Sequence, residues 1–284
     1  MSQLRHHVAV IGLMISTLLI TGCADGQAHV SAADLVHVHR LQPAPNGGLY
    51  VATHTGLYRV DTDGGIADVG DAAHDLMGFT VAGPDDLLAS GHPDLRDDSL
   101  QVQGKPPLLG LVASRDGQRW TPLSLLGEVD FHSLVAAHSN VYGLDSQTGA
   151  LMVSHDRRTW DTRAEALPFT DIAVDPTDPD GLLGVGSAGV AASGDGGRTW
   201  RSVSREAVQY LSWSSARLFG ISPEGAVMTS TNAGATWEAL GVVGGTPHAL
   251  LVTDDEVFVA NEDGIFASDD VGRSFTTVID VATG

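Results

Sequence analysis

Five short segments recur along the chain at near-constant spacing. They are S-R-D-G-Q-R-W (Ser114 to Trp120), S-H-D-R-R-T-W (Ser154 to Trp160), S-G-D-G-G-R-T-W (Ser193 to Trp200), S-T-N-A-G-A-T-W (Ser230 to Trp237) and S-D-D-V-G-R-S-F (Ser268 to Phe275). Their closing aromatics follow one another at intervals of 37 to 40 residues. A period of this size marks a repeat architecture, in which one unit buries its apolar face against the next. The carboxylate of each segment can accept N–H bonds in a tight turn, and Gly takes the positive φ. Strand-like runs such as G-A-L-M-V-S and G-I-F-A-S lead into the segments. Each segment is therefore read as the turn between the third and fourth strands of a unit. Asp116, Asp156, Asp195, Asn232 and Asp270 are assigned structural work within it.

These segments resemble the Asp-box, or BNR, repeat S-x-D-x-G-x-T-W of sialidase-like, sortilin-like and photosystem-assembly-factor propellers. The last three copies keep the eight-residue spacing, the first two are one residue short, and the fourth has Asn232 for Asp. Reading back from each segment gives four strands, a to d; the last unit reads H-A-L-L-V-T, E-V-F-V-A, G-I-F-A-S, F-T-T-V-I-D. A first unit lacks a full segment but fits as V-H-V-H-R-L, G-L-Y-V-A-T, G-L-Y-R-V, I-A-D-V, with Asp61 to Gly65 as a degenerate turn. That makes six units over 35–284, about 41 residues each, within the range of propeller blades. The expectation is an all-β, six-bladed β-propeller with Asp-box turns between strands c and d. Its sixth blade packs against the first without a shared strand.

The N-terminus reads as a separate unit. Val8 to Gly22 is apolar but too short to span a bilayer, which needs about 20 residues. It has the form of a signal-peptide core. It ends in I-T-G-C, which resembles a bacterial lipobox whose cysteine, Cys23, receives lipid. Cys23 is the single cysteine, so no internal disulfide forms. Residues 1–22 are read as a lipoprotein signal peptide, 23–34 as lipidated cysteine and tether, and 35–284 as the propeller. The mature protein would sit outside the cytoplasmic membrane on acyl chains. Its formal charge of −20 argues against nucleic acid as a partner.

Histidine is placed unevenly. Aligning the first strands on their first apolar residue pairs His39/Leu41, His74/Leu76, His132/Leu134, Thr170/Ile172, Gln209/Leu211 and His248/Leu250. Strand a is innermost in a blade, so its start lies at the rim of the central channel. Strand b ends near His54, His92, Asp145 and Asn261 in blades 1, 2, 3 and 6. Antiparallel pairing puts the start of a and the end of b on one face, opposite the repeated turns. His37, His39, His54, His74, His92, His132 and His248 then share that face. The longest b–c loop, His92 to Pro107, carries the one lysine, Lys105, and reaches the same face. Imidazole suits Zn or Cu, and three histidines with an open position form a catalytic-type geometry. His39, His54, His92 and His132 are the candidate metal ligands. His37, His74, His248 and Asp145 are candidate ligand-binding residues. Taken one at a time, each histidine could equally cap a strand end.

Three functions are compatible with these residues. One is a lipid-anchored propeller that binds a small molecule, glycan, metal ion or envelope protein through the histidine face. Another is a metal-dependent enzyme using that face. The resemblance also implies a glycoside hydrolase, above all a sialidase with an arginine triad, a Tyr–Glu pair and an acid. Here Arg115, Arg119, Arg157, Arg158, Arg198 and Arg273 fall in the repeated turns, on the opposite face. Tyr210 and Glu206 have no arginine triad to accompany them. The binding propeller is the leading expectation, and the glycosidase the alternative.

Overall fold

The computed structural model describes residues 30–281, apart from 36 and 46. The candidate signal peptide and Cys23 lie outside them. Six sheets of four consecutive antiparallel strands follow one another along the chain. They form a six-bladed β-propeller. Strand a of each blade is, in order, Val38–Pro43, Asp75–Gly83, Phe131–Ala137, Asp171–Val174, Tyr210–Trp213 and Pro247–Val252. Among the described residues no strand is exchanged between blades, so the sixth blade meets the first through side-chain packing.

The packing repeats with the sequence. Strand b is buried along its length in blades 1 and 6, as Leu49–Thr53 and Val257–Asn261. Strands buried on both faces carry near-continuous apolar runs rather than alternation. Six apolar clusters result, one at each blade–blade interface. The cluster joining blades 6 and 1 contains Leu41, Val51, Tyr58, Ala249, Leu251 and Ile265, and replaces a latch strand. Strand d is short and half exposed, which limits pairing with other chains. Among the described residues no helix is long and apolar enough to cross a membrane.

The five repeated turns join strands c and d of blades 2 to 6. In blade 4, Asp195 Oδ1 accepts the N–H groups of Arg198 and Thr199 at 3.0 and 2.9 Å, and its other oxygen accepts the Thr199 hydroxyl. Ser193 Oγ accepts the Gly197 N–H at 2.9 Å. Asn232 does the same in blade 5, its Oδ1 accepting the Thr236 N–H at 2.9 Å. The Thr199 and Ser193 bonds hold the Asp195 carboxyl well below the usual carboxylate range. A depressed pKa contributes stability above the unfolded value of about 3.9, lost as pH falls through the folded value. Asp195→Asn keeps the acceptor but not the charge. It is expected to melt below the wild type at pH 7, with the gap shrinking as pH is taken below about 4. Thermal melts across pH measure this; a gap independent of pH would remove the charge from the account.

The long loop after strand b of blade 2 is tied down rather than loose. Leu100 is fully buried against blades 1 and 2. Asp97 caps the short 3-10 turn Asp98–Leu100 by accepting the Ser99 N–H. Lys105 pairs with Glu128.

Candidate functional site

The pairing register defines two rings of residues at the channel. Arg40, Gly78, Ser133, Asp171, Tyr210 and Ala249 occupy one equivalent position, paired with Ala52, Ser90, Leu144, Val185, Ile221 and Ala260 of strand b. The residues just before them form the rim: His39, Met77, His132, Thr170, Gln209 and His248. All six rim residues line a cavity of about 610 Å³ at the channel mouth. The histidine alignment therefore holds in five blades and slips by three residues in blade 2. There Phe79, not Leu76, is the counterpart of Leu41, and Met77 takes the rim position expected for His74.

His74 is instead buried, 2% exposed, behind the rim. Burial pushes its pKa below the ordinary histidine value, against the pull of Asp97 and Asp94. Its Nδ1 accepts the Asp94 N–H at 2.8 Å, so it anchors the blade 2 loop. Asp145 is also withdrawn: it accepts N–H bonds from Asp130 and Gln147 and the Thr148 hydroxyl, and shapes the blade 3 turn.

The slip puts Asp75 where blade 1 has His37, and three imidazoles converge on it. His39 Nε2 lies 3.0 Å from Oδ1; His54 Nδ1 and His92 Nδ1 lie 3.0 and 3.1 Å from Oδ2. His92 continues on its other side to Asp130 Oδ2 at 3.5 Å, and His132 Nε2 meets the same oxygen at 2.9 Å. The result is an arc His39–Asp75–His92–Asp130–His132 across blades 1 to 3. His37 and His248 flank it, their rings stacked 6.4 Å apart over the blade 6–1 seam. His37 holds a left-handed φ of 51°, uncommon outside glycine, as the chain enters blade 1.

The electrostatics of the arc are one-sided. Burial pushes Asp75 upward, but the His39 and His92 hydrogen bonds and the His39 and His54 charges outweigh it, leaving it below its usual value. Asp130 follows the same pattern, with burial overcome by His132, His92 and Ser146. Among the described residues no Lys or Arg pairs with either. Asp130 Oδ1 is buried without a hydrogen-bond partner. Two sequestered carboxylates thus have only imidazoles to balance them. His39, His54 and Asp75 offer ligand atoms all within 4.8 Å of one another. Two imidazoles and a carboxylate form a borderline donor set that suits Zn or Cu(II).

Beneath the rim, Arg40 donates to the His132 carbonyl at 2.7 Å and to Asp171 Oδ1 at 3.1 Å, and lies over the Tyr210 ring. Asp171 also accepts the Ser133 hydroxyl at 2.7 Å and the Leu211 N–H at 3.0 Å. One ion pair therefore pins blades 1, 3, 4 and 5 to each other. Arg40 lines both the mouth cavity and a lower chamber of about 290 Å³. Reading from sequence missed Asp75, Asp130, Arg40 and Asp171. The spacing Asp130–x–His132 was the available signal, since residues two apart on a strand share a face.

No family model matches the sequence, and no curated protein matches it. Solved structures do. A chain of the nidogen/laminin complex superposes with a TM-score of 0.64 at 12% identity, over 81% of this chain and 91% of that one. PorZ of Porphyromonas gingivalis, a surface component of the type-IX secretion system, gives 0.55 at 18%, over 85% of this chain and 33% of PorZ. The GH74 xyloglucanase of Xanthomonas campestris gives 0.54 at 18%, over 86% of this chain and 38% of the enzyme. The chain thus spans about a third of these last two proteins. At such identities the likeness extends to the β-propeller fold.

Proposed function

We propose that this propeller is a lipid-anchored, extracytoplasmic binding protein. Its histidine face holds one divalent transition-metal ion, Zn or Cu, with His39, His54 and Asp75 as ligands. The observation that carries this reading is the convergence of three imidazoles on the single carboxylate of Asp75. A dication there would neutralise charge that no arginine or lysine among the described residues reaches, and the unpartnered Asp130 oxygen nearby points to the same deficit. Asp75 and His39 are largely covered, whereas the His54 side chain is 60% exposed. Such a site keeps a position open for water or an incoming ligand. His92 would orient Asp75 from the second side, and His132 would extend the arc. The lipid would sit on Cys23. The chain enters blade 1 beside the b–c turn, where Thr55 donates to the Asp34 carbonyl. A lipid tether would therefore leave from the rim of the histidine face, close to the bilayer and to any envelope partner.

The glycosidase reading finds less support. Such enzymes need two carboxyl groups presented to the sugar, and both oxygens of Asp75 and Oδ2 of Asp130 are turned to imidazoles, while Asp130 Oδ1 is buried. The deciding experiment is metal analysis of the purified protein after loading with Zn and desalting, beside assays on sialoside and xyloglucan substrates. One retained ion per chain, lost in His54→Ala, and no turnover is the expected result. Turnover unaffected by chelator, with no bound metal, would favour the hydrolase instead.

A further inference from the structure

We infer that the mouth of the channel is a binding site for a small organic monoanion, a carboxylate carried on an apolar body. This goes beyond the metal reading and does not depend on it, since its charge lies on the blade 4 and 5 side of the cavity.

The space has the size of a ligand site: about 610 Å³, within the range typical of small-molecule pockets. Its wall is mixed. Met77, Val208, Tyr210 and Pro223 supply apolar surface, and the rim imidazoles supply hydrogen-bonding edges. Its charge comes from two guanidinium groups. Arg40 in the floor is already neutralised by Asp171. Arg205, in the connection from Arg201–Ser204 to Tyr210–Trp213, lines the same cavity and is exposed. Among the described residues it pairs with no acid. What singles it out is its place in the wall of the cavity. The cavity therefore has one uncompensated positive charge, which matches one negative charge on a ligand. A guanidinium fork grips a carboxylate through two parallel hydrogen bonds. The apolar side chains of the same cavity would take the body of the acid.

The test uses EDTA-treated protein, so that absence of a metal does not bear on it. Binding of 1-naphthoate and its neutral isostere 1-naphthamide is followed by saturation-transfer NMR and calorimetry. Naphthoate is expected to bind at least about tenfold more tightly than the amide, the usual scale for a hydrogen bond to a charged group. Arg205→Gln should abolish the difference. Arg217→Gln, an exposed arginine on the opposite face, should leave it intact. Equal binding of acid and amide, binding of neither, or equal loss in both arginine variants overturns the proposal. Displacement of naphthoate by an equal concentration of inorganic phosphate would also overturn it, by showing a general oxyanion site.

Discussion

Asp171→Ala is expected to lower stability by about 3–5 kcal/mol, because it strands the Arg40 guanidinium inside the channel. For a domain of this size that is a fall in Tm of roughly 6–20 °C. The magnitude follows from what Asp171 holds. It is 3% exposed and accepts from Arg40, the Ser133 hydroxyl and the Leu211 N–H, so its loss deprives three donors from three other blades of this acceptor and leaves Arg40 only the neutral His132 carbonyl. Removing both charges, as Arg40→Met with Asp171→Leu, should recover much of the loss, since replacing a whole buried pair by apolar groups is often near neutral. Thermal melts of the two single variants and the double variant give the coupling directly. A single variant within 2 °C of the wild type, on the roughly 2–4 °C per kcal/mol scale, would mean that this contact does not tie the ring.

The second large effect is at Asp75. Zn at a hundredfold excess over its Kd should stabilise the wild type by about 2.7 kcal/mol, or roughly 5–11 °C in Tm. Asp75→Asn keeps the size of the side chain but removes the charge that the dication meets. Metal affinity should fall on the order of 100-fold, or about 2.7 kcal/mol, and the Zn-induced rise in Tm should vanish. Without metal the same variant should melt somewhat below the wild type, because the imidazoles hold the Asp75 carboxyl below its usual value, but it should still unfold in one cooperative step. These two readings separate a lost ligand from a damaged fold. A Zn-dependent rise that survives in Asp75→Asn would move the ion elsewhere on the arc.

The blades were legible because each carries its own turn. The interval between Trp120, Trp160, Trp200, Trp237 and Phe275 counts five of them, and the strand pattern before Asp61 supplies the sixth. The histidine rim was readable wherever the first apolar residue of strand a is the one that packs at the blade interface, as Leu41, Leu134 and Leu250 do. Blade 2 differs because Leu76 is an extra apolar residue one turn of the pleat earlier, and a bulge between Asp75 and Gly78 hides the true register. The carboxylates were overlooked for a different reason. Asp75 takes two of its three imidazoles from blade 1, Asp130 takes one of its two from blade 2, and Arg40 meets an acid 131 positions further along the chain. No local pattern encodes a contact of that kind.

Arg40 and its acid also stand where the mouth cavity meets the lower chamber, since Arg40 lines both. A ligand seated in the mouth would therefore rest on the same contact that holds four blades together.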